Sequence, residues 1–208
     1  MGIDRHRQKA DVVLVPLASL LRGVEPNVIS WIGLIIAFLS GLALYLSYDI
    51  PILLIAGAFL VLISGLFDAL DGKVAKLTGK ASPKGDYLDH VFDRYADVFM
   101  IGGVAVSSWC NPYIGMLALV GVLLTSYMGT QAQAVGAPRL YAGLLGRADR
   151  VVLMTAFPIL QYLWVSLSDG SMTLLGYSFT LLEVMMIWFA VVGNLTAAQR
   201  VLMTWRNM

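Results

Sequence analysis

Six long apolar segments dominate this chain of 208 residues. They cover residues 27–48, 51–75, 87–108, 112–136, 150–168 and 176–203, with only short connections between them. Each segment is long enough to cross the apolar core of a bilayer as a helix, and a hydrophobic content of 59% is too high for a soluble domain. We therefore predict an all-α, polytopic membrane protein in which residues 26–208 form one bundle of six transmembrane helices.

The first 25 residues differ from this pattern. Their apolar stretch, Val12–Leu21, is too short to span a bilayer, and it follows the basic residues Arg5, Arg7 and Lys9. We predict that residues 1–25 form an amphipathic helix in the membrane interface, with its basic end among the lipid headgroups. Because no linker or repeat divides the chain, residues 1–208 are predicted to form a single domain.

All 14 lysines and arginines fall at one end of the predicted bundle. The connections at the other end, near Asp49, Asn111 and Asp169, contain none. By the positive-inside rule, both termini and the basic end face the cytoplasm of a multi-pass protein of the cell membrane. The basic surface suits anionic lipid or phosphate-bearing substrates, and the net charge of +1 gives no reason to propose nucleic acid as a partner.

Four aspartates lie where two apolar segments meet their connection. Asp68 and Asp71 end one segment, and Asp89 and Asp93 begin the next. Residues three or four positions apart share a helix face, so each pair presents two carboxylates together. Because clustered carboxylates repel one another, we expect hard cations such as Mg²⁺, Mn²⁺ or Ca²⁺ between them, rather than zinc or copper. The alternative interpretation is that the aspartates are solvated helix ends.

The wider pattern D-x2-D-G-x2-A-x9-G-x3-D-x3-D runs from Asp68 to Asp93. It resembles the signature of the CDP-alcohol phosphatidyltransferase family, with one departure, because Lys76 stands where the family usually has arginine. The resemblance implies six transmembrane helices, cytoplasmic termini and an amphipathic N-terminal helix. It also implies an enzyme that transfers a phosphatidyl-type group from a CDP-linked lipid to an alcohol and releases CMP, a transferase of the EC 2.7.8 type.

The resemblance further implies a role for each matching residue. Two divalent ions, Mg²⁺ or Mn²⁺, are implied at the four aspartates, and Asp93 is implied as the general base as well. Small residues leave room for the nucleotide and its phosphates. The implied binding residues for the CDP-lipid are Asn27, Ser30, Gly72, Ala75, Lys76 and Gly85. For Asn27 a helix cap is the other interpretation.

Arginines near the start of the fifth segment and the end of the sixth indicate the acceptor. Arg147, Arg150 and Arg200, with Arg139 in the preceding connection, suit a phosphate group. The Arg-x-x-Arg stretch resembles that of prokaryotic phosphatidylinositol-phosphate synthases, which implies inositol 1-phosphate, a phosphorylated polyol. The alternative is that these arginines only mark the cytoplasmic side.

Two amides refine this reading of the acceptor site. Gln131 and Gln133 offer neutral donors and acceptors that suit a polyol ring, and they resemble the archaeal branch, which uses a CDP-archaeol donor. Whether the donor carries diacylglycerol or archaeol stays open. Asp86 and Asp97 fall outside the pattern and receive no role.

Two other functions stay open at this point. Glycerol 3-phosphate is the alternative acceptor, which would give a phosphatidylglycerol-phosphate synthase. In a different class, clustered aspartates in a membrane bundle are also found in divalent-cation transporters. The family resemblance suggests a homodimer as well. Small residues of the third segment, Gly102, Gly103, Ala105 and Ser107, offer surfaces for close helix contact, either between subunits or within one.

Overall fold

A computed structural model describes residues 7–137, 143–168, 170–174 and 176–208, without the side chains of residues 7–10 and 174. The described part contains seven helices and one two-stranded hairpin. In chain order these elements are α1 Arg7–Leu20, α2 Pro26–Leu46, α3 Leu53–Leu77, α4 Pro83–Ala105, α5 Pro112–Ala134, α6 Arg147–Leu167, β1 Met172–Leu174, β2 Tyr177–Phe179 and α7 Leu181–Arg206. The prediction of a helical membrane fold is thereby confirmed.

Five helices of the described chain, α2, α3, α5, α6 and α7, are long and apolar enough to cross a membrane. Helix α4 is of similar length but is more polar, because its first half carries the charged residues of the acidic motif. These helices, together with the sequence pattern, make the chain a multi-pass membrane protein. The predicted extra helix at the N-terminus exists as α1, a short helix.

The last apolar segment begins later than predicted. Residues 176–203 were expected to be helical, but β1 and β2 form an antiparallel hairpin in which Met172 pairs with Phe179. Gly176, with φ 84°, lies where the hairpin turns. Helix α7 begins only at Leu181, after the Thr180 hydroxyl accepts a hydrogen bond from the Glu183 backbone N–H.

The buried glutamine of α6, Gln161, attaches this hairpin to the bundle. Its Nε2 donates to the Gly170 carbonyl at 2.7 Å, and its Oε1 accepts from the Leu181 N–H at 2.7 Å. One buried side chain therefore satisfies backbone groups on both sides of the hairpin.

The bundle packs around two apolar clusters. Helix α5 lies along α7, α2 lies between α3 and α4, and α6 packs against α3 and α7. The larger cluster includes Phe189, Met185 and Val122. The smaller one joins α1 to α3 through Ala18 and Val74. We call the end of the bundle where α3 ends and α4 begins the acidic end.

Helices α2 and α4 approach each other closely at two glycines. A Cβ added to Gly103 would lie 2.2 Å from the Gly41 carbonyl oxygen, and one added to Gly41 would lie 2.1 Å from the Phe99 carbonyl oxygen. Ala105 packs similarly against Gly115 of α5. These small residues of α4 therefore pack within the chain, whereas a Cβ on Gly102 would meet nothing within 4 Å.

We expect Gly103→Ala to destabilise the protein by about 1–3 kcal/mol, because the new methyl group must push two backbones apart. Gly102→Ala is the matched control, since it adds the same methyl group to the same helix in open space, and we expect it to be neutral or stabilising by up to about 1 kcal/mol. Thermal unfolding of both variants in detergent, followed by tryptophan fluorescence, measures the difference. Equal stability of the two variants would contradict the close approach.

Candidate active site and metal centre

The acidic end is built from the end of α3 and the start of α4. Gly79, with φ 69°, allows the chain to turn after α3. Ser82 then caps α4 by accepting a hydrogen bond from the Gly85 N–H at 3.2 Å, and Pro83 occupies the first turn. This short connection places the last turns of α3 beside the first turns of α4.

The structure brings the four predicted aspartates together. Asp68, Asp71 and Asp89 line one cleft. Asp93 lies close enough to Asp68 and Asp89 for their charges to repel. Only 6% of Asp71 and 7% of Asp93 is exposed. Carboxylates this buried and this close need positive charge beside them, and an all-oxygen donor set fits Mg²⁺ or Mn²⁺.

A serine of α2 orients one of these carboxylates. The Ser30 hydroxyl donates a hydrogen bond of 2.5 Å to Oδ2 of Asp71. One oxygen of Asp71 is therefore fixed in place while the other stays free of this bond. Ser30, predicted as a donor-lipid residue, thus lies directly beside a predicted metal ligand.

Arg147 joins the acidic cluster from α6. Its Nη2 lies 2.5 Å from Oδ1 of Asp68, and its Nη1 pairs with Oδ1 of Asp93. One guanidinium therefore bridges a carboxylate of α3 and a carboxylate of α4. Arg147 was predicted as an acceptor-phosphate residue, and the structure places it among the predicted metal ligands.

The other predicted arginines lie apart from this bridge. Arg150, one turn further along α6, forms a two-pronged ion pair with Asp97, at 3.2 Å from Nε and 3.0 Å from Nη2. Arg200 is buried, and its Nη1 donates to the Thr125 carbonyl of α5 at 2.5 Å. Arg139 lies outside the described residues. The structure thus brings Arg147 and Arg150 to α4, while the described bond of Arg200 is with α5.

The predicted donor-lipid residues lie on the open side of the acidic end. A Cβ on Gly72 would meet nothing within 4 Å, and one on Gly85 would lie 3.9 Å from Oδ1 of Asn27. Ala75 is half-buried and Lys76 is exposed. Asn27 is also exposed, and it does not cap α2, because the helix begins at Pro26 with Glu25 in the capping position. The helix-cap interpretation of Asn27 was therefore wrong.

The two glutamines predicted to contact a polyol, Gln131 and Gln133, are exposed on the last turn of α5. The single cysteine, Cys110, lies between α4 and α5. Burial, reinforced by the charge of Glu183, raises the pKa of its thiol to about 12. A thiol that stays protonated at neutral pH is a poor metal ligand or nucleophile.

Sequence reasoning missed His90. Its Nδ1 lies 3.6 Å from Oδ2 of Asp89, and the three residues Asp89, His90 and Asp93 each offer a ligand atom within 4.8 Å of the others. The signal was available, since a histidine directly follows one aspartate of the motif and precedes the next by three positions. A nitrogen donor here would favour a transition metal such as Mn²⁺ over Mg²⁺.

Comparison with known proteins identifies a matching family and several relatives. The family model for CDP-alcohol phosphatidyltransferases matches residues 24–196. The archaetidylinositol phosphate synthase of Pyrococcus horikoshii is 35% identical over 140 residues, which are 66% of this chain and 70% of that protein. The phosphatidylinositol phosphate synthase of Cutibacterium acnes is 34% identical over 149 residues, 68% of this chain and 70% of that protein.

Solved structures have the same fold. The phosphatidylinositol phosphate synthase of Mycobacterium tuberculosis with CDP-DAG bound has a TM-score of 0.70 at 25% identity, and the match covers 93% of this chain and 94% of that one. The same enzyme in complex with manganese and citrate also has a TM-score of 0.70, at 26% identity, with 92% and 88% covered.

We expect Arg147→Gln to strengthen Mn²⁺ binding by roughly tenfold, because the guanidinium competes for oxygens that a cation needs and its charge repels the cation. Lys84→Gln is the matched control, since it removes the same charge from the exposed first turn of α4. Titration of Mn²⁺ by electron paramagnetic resonance measures both variants. If Arg147→Gln and Lys84→Gln have the same Mn²⁺ affinity, the direct competition is refuted.

Proposed function

Because this chain belongs to the CDP-alcohol phosphatidyltransferase family, we propose that it transfers the phosphatidyl-type group of a CDP-linked lipid to inositol 1-phosphate and releases CMP. The family makes it a membrane transferase of phospholipid biosynthesis. The family gives the class of reaction, and the identity of the acceptor is our proposal. The observation that carries it is the pair Arg147 and Arg150, which face α4 beside the acidic cluster. The names of the relatives from both an archaeon and a bacterium support the same acceptor.

The reaction is a phosphoryl transfer between two oxygens. The acceptor hydroxyl forms a bond to the lipid-linked phosphorus, and the bond from that phosphorus to the CMP oxygen breaks, so CMP leaves with the electron pair. When bound, two divalent ions, Mg²⁺ or Mn²⁺, neutralise the pyrophosphate and the charge that develops on CMP. Asp68, Asp71, Asp89 and Asp93 are the side chains we propose to hold them.

Asp93 is also the proposed general base that takes the proton of the acceptor hydroxyl. It lies between the other aspartates and the arginines of α6. A donor held by the aspartates and an acceptor held by the arginines would therefore meet beside it. Arg147, which pairs with Asp68 and Asp93, is proposed to contact the acceptor phosphate beside Asp93.

The donor nucleotide is proposed to lie across the open surface at the start of α2 and α4. Gly72 and Gly85 leave space there for the phosphates, and Lys76 supplies an exposed positive charge. Ala75 keeps the adjacent surface of α3 small, and Asn27 lies next to Gly85. Ser30 is proposed to act here through its bond to Asp71.

The remaining acceptor contacts are proposed from position and chemistry. Gln131 and Gln133 present neutral donors and acceptors to the hydroxyls of the inositol ring. Arg200 and Arg139 add positive charge for the phosphate. Diacylglycerol and archaeol are both compatible with the donor surface, because the nucleotide and pyrophosphate are common to the two lipids.

We propose that α4 is the sixth transmembrane helix and that residues 1–208 form one domain. The five helices that span by length and composition would otherwise leave the chain with its basic ends on opposite sides. With α4 included, all lysines and arginines share one side, which the positive-inside rule assigns to the cytoplasm together with both termini.

Helix α1 is proposed to lie in the membrane interface. Its residues Leu14, Leu17 and Ala18 pack toward α2 and α3, while Val12 and Val13 are exposed. A short helix that is apolar on its outer face as well is suited to the boundary between headgroups and acyl chains. We further propose a homodimer in the membrane, as the family resemblance implies.

The acceptor is tested by CMP release from a CDP-lipid in the presence of inositol 1-phosphate, glycerol 3-phosphate, serine or free inositol. We expect release with inositol 1-phosphate and its loss on addition of a chelator. Release with glycerol 3-phosphate alone would make the chain a phosphatidylglycerol-phosphate synthase. Metal uptake by reconstituted vesicles without any CMP release would identify a cation transporter instead.

The aspartate roles are tested by single substitutions. We expect Asp93→Asn and Asp89→Asn each to lower kcat by about 10³-fold or more, because each removes a charged ligand and the first also removes the base. Asp86→Asn is the matched control, since its exposed carboxylate on the same helix falls outside the motif, and we expect near-wild-type turnover. An active Asp93→Asn enzyme would refute the assignment.

A further inference from the structure

Asp97 is a partly buried carboxylate that the motif does not explain. Its side chain is 14% exposed, on α4 one turn beyond Asp93. It accepts both Nε–H and Nη2–H of Arg150, at 3.2 and 3.0 Å, and it lies 3.9 Å from Nε of Arg94. Asp93 and Asp97 on α4 thus face Arg147 and Arg150 on α6 in two successive pairs.

The geometry of the Arg150–Asp97 pair leaves one side of the guanidinium for a second anion. A guanidinium offers two edges to carboxylate or phosphate: the side edge, Nε with one Nη, and the end edge, Nη1 with Nη2. Asp97 takes the side edge. The described contacts of Arg150 do not involve its end edge, and Arg150 is only 5% exposed, so its direction is strongly fixed.

Charge explains why Arg150 needs a partner of its own. The guanidiniums of Arg147 and Arg150 both lie close enough to Arg94 to repel its charge. Arg94 already contacts Asp93 at 3.1 Å, and Arg147 contacts the other oxygen of that carboxylate. Asp97 therefore gives Arg150 a close carboxylate partner other than Asp93.

Stability alone is a weak reason for this pair. Burying an aspartate and an arginine costs desolvation that their attraction roughly offsets, so a buried ion pair is often close to neutral for folding. A fixed orientation is what such a pair supplies in addition, because Asp97 defines where the free edge of Arg150 points.

We propose that Asp97 is a positioning residue for the acceptor, which holds the free edge of Arg150 toward the phosphate of the phosphorylated polyol. This inference rests on the proposed function, since Arg150 is there the acceptor-phosphate ligand. Asp97 touches neither donor nor acceptor and acts through Arg150.

The test is a kinetic comparison of Asp97→Asn, Arg150→Ala and the double variant, with inositol 1-phosphate and a CDP-lipid. We expect Asp97→Asn to raise the acceptor KM about tenfold, with the donor KM and kcat within twofold of wild type. Because Asp97 acts through Arg150, the double variant should have the acceptor KM of Arg150→Ala. An unchanged acceptor KM in Asp97→Asn, an equal rise in both KM values, or multiplicative effects in the double variant would overturn the proposal.

A charge exchange separates positioning from a structural role. Asp97→Arg combined with Arg150→Asp keeps an ion pair between α4 and α6, so we expect wild-type thermal unfolding with an acceptor KM raised as in Arg150→Ala. Recovery of the wild-type acceptor KM would overturn the proposal. The charge exchange tests the proposal even where Asp97→Asn does not fold.

The wild-type enzyme serves as the reference for the proposed function, which fails on its own if no phosphorylated acceptor yields CMP. If another phosphorylated acceptor is used, the same variants are measured with it.

Discussion

Mutual repulsion among four carboxylates at the acidic end is the constraint that organises this structure. Two of them, Asp71 and Asp93, are almost fully buried, where an uncompensated charge is strongly unfavourable. The surrounding side chains stabilise the carboxylates: Arg147 bridges two of them, Arg94 pairs with one, and Ser30 donates a hydrogen bond to another. The fold thus gathers a negative site that favours cations and surrounds it with groups that hold the carboxylates in place.

The positive charge that offsets the four carboxylates is not distributed evenly around them. Positive side chains reach the aspartates from α6, whereas the opposite side, between the starts of α2 and α4, is lined by small or exposed residues such as Gly72 and Gly85. A nucleotide-activated lipid and a phosphorylated acceptor carry their charges differently, because the first brings a pyrophosphate that cations can bridge and the second brings a monoester phosphate that arginines can hold. The arginines on the α6 side therefore suit the acceptor phosphate, and the open side near Gly72 and Gly85 suits the nucleotide-activated lipid.

The sequence predicted the helices and the acidic cluster because both depend on local spacing. Asp68, Asp71, Asp89 and Asp93 meet because helical periodicity and one short connection bring them together. The partners of the arginines depend instead on how α4 and α6 face each other, which no local pattern encodes, so Arg147 was assigned to phosphate alone and Asp97 to nothing.

Other details also depended on long-range contacts. The hairpin before α7 is attached to α6 by Gln161, which binds the backbone on both of its sides. The residues predicted in an apolar run from 176 onward gave no sign of it, since Tyr177 and Phe179 suit a strand and a membrane helix equally. The cap interpretation of Asn27 also failed, because Pro26 occupies the first turn of α2 and Glu25 the capping position.

The contact between Gly41 and Gly103 limits how the bundle can rearrange. Backbones in direct contact cannot slide past each other without a collision, so α2 and α4 are expected to move as one rigid unit. Ser30 lies on α2, and Asp89 and Asp93 lie on α4. Any rearrangement that widens the entrance for a bulky headgroup must therefore lie outside the contact between α2 and α4.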